Sequence, residues 1–219
     1  MTFLKNLRMA GLMLASLAMH QVAFASNNPA MDAQINHLSE DWARIRFRVP
    51  DKDQQFTQFD ALSHQAAAIA AKYPTYAEPL LWQGIITSEE ARTASMFQRM
   101  GYATKSRDML EKARKIDAKA ANGGVPMSLG VLYYRVPGFP IGFGNVTKAK
   151  AFLLAALAQD PNGLDANYFY GDFLNLQGQT GPAKSYLLKA LQAPSDPNRP
   201  IWDAGRRAEV RALIGKLGK

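Results

Sequence analysis

PMSLGVLYYRVPGFPIGFGNVTKAKAFLLAALAQDP, Pro126 to Pro161, decides the fold. Leu129, Gly130 and Tyr133 stand at helical spacing before the irregular stretch, and Ala149, Leu153, Ala156 and Leu157 do so after it. From Arg135 to Asn145 the chain carries two prolines and three glycines, which exclude regular structure and fix one backbone path. Asn145 or Thr147 can cap the second helix. A helical pair with small residues at its crossing cannot bury its apolar face alone. Such a pair implies stacked copies, at a period of about 34 residues.

The copies are present on both sides. Residues 164–195 repeat the pattern without an insertion: Tyr168, Gly171, Leu174, Gly178, Ala183, Leu187, Ala190, Leu191 and Pro194. Residues 76–118 carry Leu80, Leu81, Gly84 and Ile85, then Leu110, Ala113 and Ile116. Between Gly84 and Ala113 the spacing exceeds the template by about ten residues, so the first helix is longer or the turn holds an insertion. Residues 29–74 form a degenerate first unit: one helix with Ile35, Leu38, Trp42 and Ile45, and a second over Gln54 to Lys72 with Phe59, Leu62, Ala66 and Ile69. The first helix ends at Val49-Pro50, because the residue before proline is pushed out of helical geometry. After the linker from Pro194 to Pro200 a last helix, 203–217, reads as a solenoid cap. The expected fold is therefore all-α: a tetratricopeptide-like helix-turn-helix array in one domain, residues 26–219.

The N-terminus reads as a secretory signal peptide. Lys5 and Arg8 precede an apolar run from Met9 to Met19, and Ala23-Phe24-Ala25 offers a cleavage site after Ala25. The run is too short to span a bilayer, which takes about 20 residues. No cysteine occurs in 219 residues. An exported chain without disulfides points to the bacterial periplasm. The formal charge of +8 becomes +6 when Lys5 and Arg8 are removed. Basic residues alternate with acidic ones, as in Arg107-Asp108-Met109-Leu110-Glu111-Lys112, so nucleic acid is not an expected partner. Only Arg206, Arg207, Arg211, Lys216 and Lys219 concentrate one sign. They suit either the negative end of a helix dipole or a basic contact surface.

No catalytic set can be assembled. His37 and His64 stand alone, without the spacing of a metal site. Ser88-Glu89-Glu90 and Asp51-Lys52-Asp53 read as solvated faces, because adjacent helical positions face apart. Gly142-Phe143-Gly144-Asn145-Val146-Thr147-Lys148 offers glycine amides at a helix start but lacks the ending of a phosphate loop, so a rigid turn is the stronger reading. No enzyme activity, metal or cofactor is expected. Binding belongs on the concave face, lined by the first helix of each pair. Aligning the units on Gly84, Gly130 and Gly171 brings Leu81, Ile85, Met127, Val131, Tyr134, Arg135, Tyr168, Asp172 and Asn175 to that face, with Phe139 and Phe143 in a loop over its lip.

Tyr133 to Gly144, with Asn167-Tyr168-Phe169-Tyr170-Gly171-Asp172-Phe173-Leu174 and Asp203-Ala204-Gly205-Arg206-Arg207, resembles the periplasmic tetratricopeptide T-component of TRAP (tripartite ATP-independent periplasmic) transporters. The resemblance covers roughly the C-terminal half. It implies a helical repeat protein that contacts a periplasmic solute receptor or carries a small, apolar or amphipathic ligand. Members are often lipoproteins, and this chain has no cysteine to carry a lipid. Two readings follow: a non-enzymatic binding module using its groove, or an envelope adaptor using its outer surface and basic C-terminus.

Overall fold

The computed structural model describes residues 27–217, so the expected leader and its cleavage site lie outside the described residues. Nine helices and no strand are found there: α1 (Pro29–Arg48), α2 (Lys52–Lys72), α3 (Ala77–Thr93), α4 (Met96–Ile116), α5 (Ala120–Arg135), α6 (Val146–Gln159), α7 (Leu164–Leu176), α8 (Thr180–Leu191) and α9 (Pro200–Leu217). Local chemistry sets several of these ends. The side chains of Asn28, Asp51 and Asn145 each accept a hydrogen bond from the backbone N–H three residues on. Extended geometry at Val49, imposed by Pro50, stops α1. Ala121, Asn122 and Gly123 make a left-handed turn, with φ of 52°, 49° and 89°. The right-handed part of α5 follows, with Pro126 near its start, where a missing N–H costs nothing.

The helices pair as α1/α2, α3/α4, α5/α6 and α7/α8, and each odd helix also packs on the next odd helix. The crossings in the last three pairs share one device. A Cβ placed on Gly84, Gly130 or Gly171 would lie 2.8, 2.7 or 2.9 Å from Cγ of Leu110, Leu153 or Leu187. Three residues beyond each leucine sits a fully buried alanine: Ala113, Ala156 and Ala190. Leucine thus fills the space that glycine vacates, and alanine lets the backbones close.

Unit lengths differ for two separate reasons. In the second unit α3 and α4 have 17 and 21 residues, against 13 and 12 in α7 and α8. Both helices are extended and only Ala94 and Ser95 join them, so the extra residues are helical and no loop is inserted. In the third unit the extra residues form the Pro/Gly/Phe loop. Its amides are consumed locally: Gly142 N–H donates to Gly138 O at 3.1 Å, Gly144 N–H to Pro137 O at 2.9 Å and Asn145 N–H to Tyr133 O at 2.8 Å.

Helix α9 starts at Pro200, three residues earlier than expected, and it does more than cap. It packs on α7 and α8 and returns to α1. A Cβ on Gly205 would fall 2.4 Å from Cγ of Phe47, so the two helices meet at a glycine. Ile201 and Trp202 join the apolar core built by Ile35, Leu38, Trp42, Phe59 and Leu62. The odd helices therefore form an inner layer whose last member touches its first.

Candidate interaction surface on the inner helices

Closing that layer brings charged residues of four helices together. Arg92 of α3 pairs with Glu89, and Glu89 lies 3.4 Å from Arg46 of α1. Arg46 reaches Glu209 of α9, Glu209 accepts from Arg206 at 2.6 Å, and Arg206 donates to Asp165 of α7 at 2.7 Å. Arg206 is only 4% exposed. Its guanidinium lies 4.8 Å from the Tyr168 ring centroid and 4.6 Å from that of Phe169. Burial would lower its pKa, but Asp165 and Glu209 raise it above the usual range, so it stays charged. Trp202 Nε1 adds a hydrogen bond to Asp165 at 3.2 Å. Every member of this chain has a partner of opposite charge, the condition for burying ions without a large penalty.

A second cluster lies on α5 and α7. Tyr134 donates its phenol O–H to Asp172 at 2.6 Å, and Arg135 donates to the same carboxylate oxygen. Burial first, and then the Asp172 carboxylate, push the Tyr134 pKa well up, so the phenol keeps its proton and acts as donor. The Asp172 side chain is 8% exposed, whereas half of the Arg135 side chain remains open to solvent.

The structure thus joins Tyr134, Arg135 and Asp172 into one hydrogen-bonded group. Ile85, Met127, Val131 and Asn175 are half-buried on the same inner helices. Tyr168 is buried beneath Arg206. Leu81 departs from expectation: at 1% exposure it belongs to the core with Leu110 and Val125, because it faces between helices. The two loop phenylalanines separate. Phe143 packs edge-on against Tyr133 with centroids 5.6 Å apart, and Arg107 of α4 lies over its ring at 4.6 Å. Phe139 is 94% exposed. The loop therefore leans on α4 of the outer layer.

Three charged features change meaning. Glu89 and Glu90 are not a solvated face: Glu89 belongs to the ion-pair chain, and Glu90, 3% exposed, accepts from Ser63 at 3.3 Å. Arg206 and Arg207 do not offer a basic surface. Arg207 binds Asp203 at 2.9 Å and the carbonyls of Leu191, Ala193 and Pro194. The glycine amides before Lys148 are already bonded, which makes that segment a turn. His37 and His64 are exposed on α1 and α2. Sequence reasoning missed Arg46, Asp165 and Glu209; only the i, i+3 spacings of Glu89 with Arg92 and Arg206 with Glu209 hinted at paired charges.

The stacked pairs, the repeated glycine–leucine crossing and the terminal helix define a tetratricopeptide-like α-solenoid. Among solved structures the chain is similar to TTC0263, a thermophilic TPR protein of Thermus thermophilus, with a TM-score of 0.54 and 14% sequence identity over 83% of this chain and 98% of that one. No family model matches the chain, and no curated protein matches it.

Proposed function

We propose that this protein is a non-enzymatic periplasmic binding module that holds a segment of a partner protein on its inner helices, at the end of α5 and α7. The observation that carries this reading is Arg135: a side chain half open to solvent, oriented by the buried Asp172 carboxylate, with half-buried Tyr134, Val131 and Met127 on the same helix and half-buried Asn175 on α7 one turn beyond Asp172. A fixed cation beside apolar and aromatic surface suits an amphipathic segment carrying a carboxylate. A small apolar or amphipathic ligand is the alternative occupant of the same surface. The Tyr133 to Gly144 loop, through its resemblance to the TRAP T-component, supports a solute receptor as partner and a role in solute uptake. The adaptor reading loses two of its basic C-terminal residues, since Arg206 and Arg207 are bound internally, and keeps Arg211 and Lys216, which are exposed on α9.

A photo-crosslinking residue placed at Asn175 in cells should trap one polypeptide, and Arg135→Glu should reduce that product by about tenfold or more, the worth of a charge-assisted contact. The same probe at Leu188, exposed on α8, should trap nothing. A product from Leu188 but not from Asn175 would move binding to the outer surface.

A further inference from the structure

At the edge where α3 turns into α4 and α5 passes into α6, four large apolar side chains stand in solvent. Met96 is 76% exposed, Phe97 95%, Phe139 94% and Ile141 71%. They form one neighbourhood. A Cβ on Gly142 would lie 2.8 Å from Cε of Met100, one turn beyond Met96 and Phe97. Arg107 on the same helix covers Phe143. The loop is braced internally by its own amides, so Phe139 and Ile141 are displayed on a firm turn.

The same two segments are one-signed. Residues 91–107 and 135–159 contain Arg92, Arg99, Lys105, Arg107, Arg135, Lys148 and Lys150, and no Asp or Glu. Arg92, Arg107 and Arg135 are engaged with carboxylates. Arg99, Lys105, Lys148 and Lys150 are exposed, and none of the four makes a salt bridge among the described residues. Phe97, Gly101 and Lys105 follow one another at four-residue spacing along one exposed face of α4.

We propose that this edge is a membrane-association surface, which inserts Phe97, Phe139 and Ile141 among the headgroups of an anionic phospholipid bilayer while Arg99, Lys105, Lys148 and Lys150 bind the phosphates. Phe139 and Ile141 project from the loop and Phe97 from the first turn of α4, each largely in solvent, so they offer a folded protein little shape to match. A fluid interface needs no such match, and it rewards aromatic tips ringed by long cationic side chains.

Co-sedimentation with vesicles of mixed phosphatidylcholine and phosphatidylglycerol, against vesicles of phosphatidylcholine alone, tests this. The protein should partition onto the anionic vesicles at low salt and be released as salt rises. Phe97→Ser with Phe139→Ser, and separately Lys148→Glu with Lys150→Glu, should each lower partitioning by about tenfold or more without altering the melting temperature. All variants share one N-terminus, so a retained leader would contribute equally. Because the chain has no cysteine, Ile141→Cys accepts a single environment-sensitive dye, whose emission should shift to the blue on the anionic vesicles only. No binding to them, binding indifferent to both pairs of substitutions, or a self-associated species that the same substitutions abolish would each overturn the proposal.

Discussion

Replacing Gly130 by alanine puts a methyl group 2.7 Å from Leu153 Cγ and 3.2 Å from its backbone nitrogen, so α5 and α6 must part. The expected cost is about 1–3 kcal/mol. Gly101, in α4 with nothing near its missing Cβ, is the control. Gly101→Ala should stabilise by about 0.5–1 kcal/mol. Urea denaturation of both variants would show opposite shifts; equal shifts would contradict the crossing account. Glu90 makes a second residue-scale prediction. Burial raises its carboxyl pKa, although hydrogen bonds from Thr87 and Ser63 pull the other way. A folded pKa above the unfolded one means that the folded state binds the proton more tightly. Stability therefore falls as pH rises through the folded value and recovers on acidification. Glu90→Gln should flatten that part of the melting temperature against pH curve and leave the protein at least as stable at neutral pH. A variant that melts lower at every pH would contradict it. The glycines and leucines of the crossings were legible because repetition marks them. Glu90 was not, since its charge reads as solvated until Ser63 and Thr87 arrive from other turns and another helix.

At the scale of elements, the helix pairs were legible wherever proline, glycine or a capping residue ends them. The extra residues between Gly84 and Ala113 were visible only as a length, because nothing local separates a longer helix from an inserted turn. The return of α9 to α1 was not legible at all: it depends on Gly205 meeting Phe47, residues far apart in the chain with no pattern linking them. Gly205→Leu tests this contact. It should separate α9 from α1 at a cost of about 1–3 kcal/mol. Hydrogen exchange should then speed up in both helices and around Arg46, whose partner Glu209 lies on α9. Faster exchange confined to α9 would show that the ring does not couple the two ends.

For the whole molecule, the position of the charges decides which surface is left for function. The ion-pair chain from Arg92 to Asp165 uses cations that a count of net charge treats as free. Among the residues expected on the inner face, alignment on three glycines grouped Tyr134, Arg135 and Asp172, whose side chains are hydrogen-bonded to one another, because helical phase is preserved between units. It misplaced Leu81 and Tyr168, which are buried in core clusters, and it could not tell Phe143 from Phe139, because loop phase follows no period. The binding claim at Arg135 is tested most directly by native mass spectrometry of the protein taken from the cell that makes it, with masses recorded under gentle and then denaturing conditions, for the wild type and for Arg135→Ala. The account predicts a second polypeptide bound to the wild type and lost from the variant. A wild-type protein that is clean, or whose partner persists in Arg135→Ala, would contradict it.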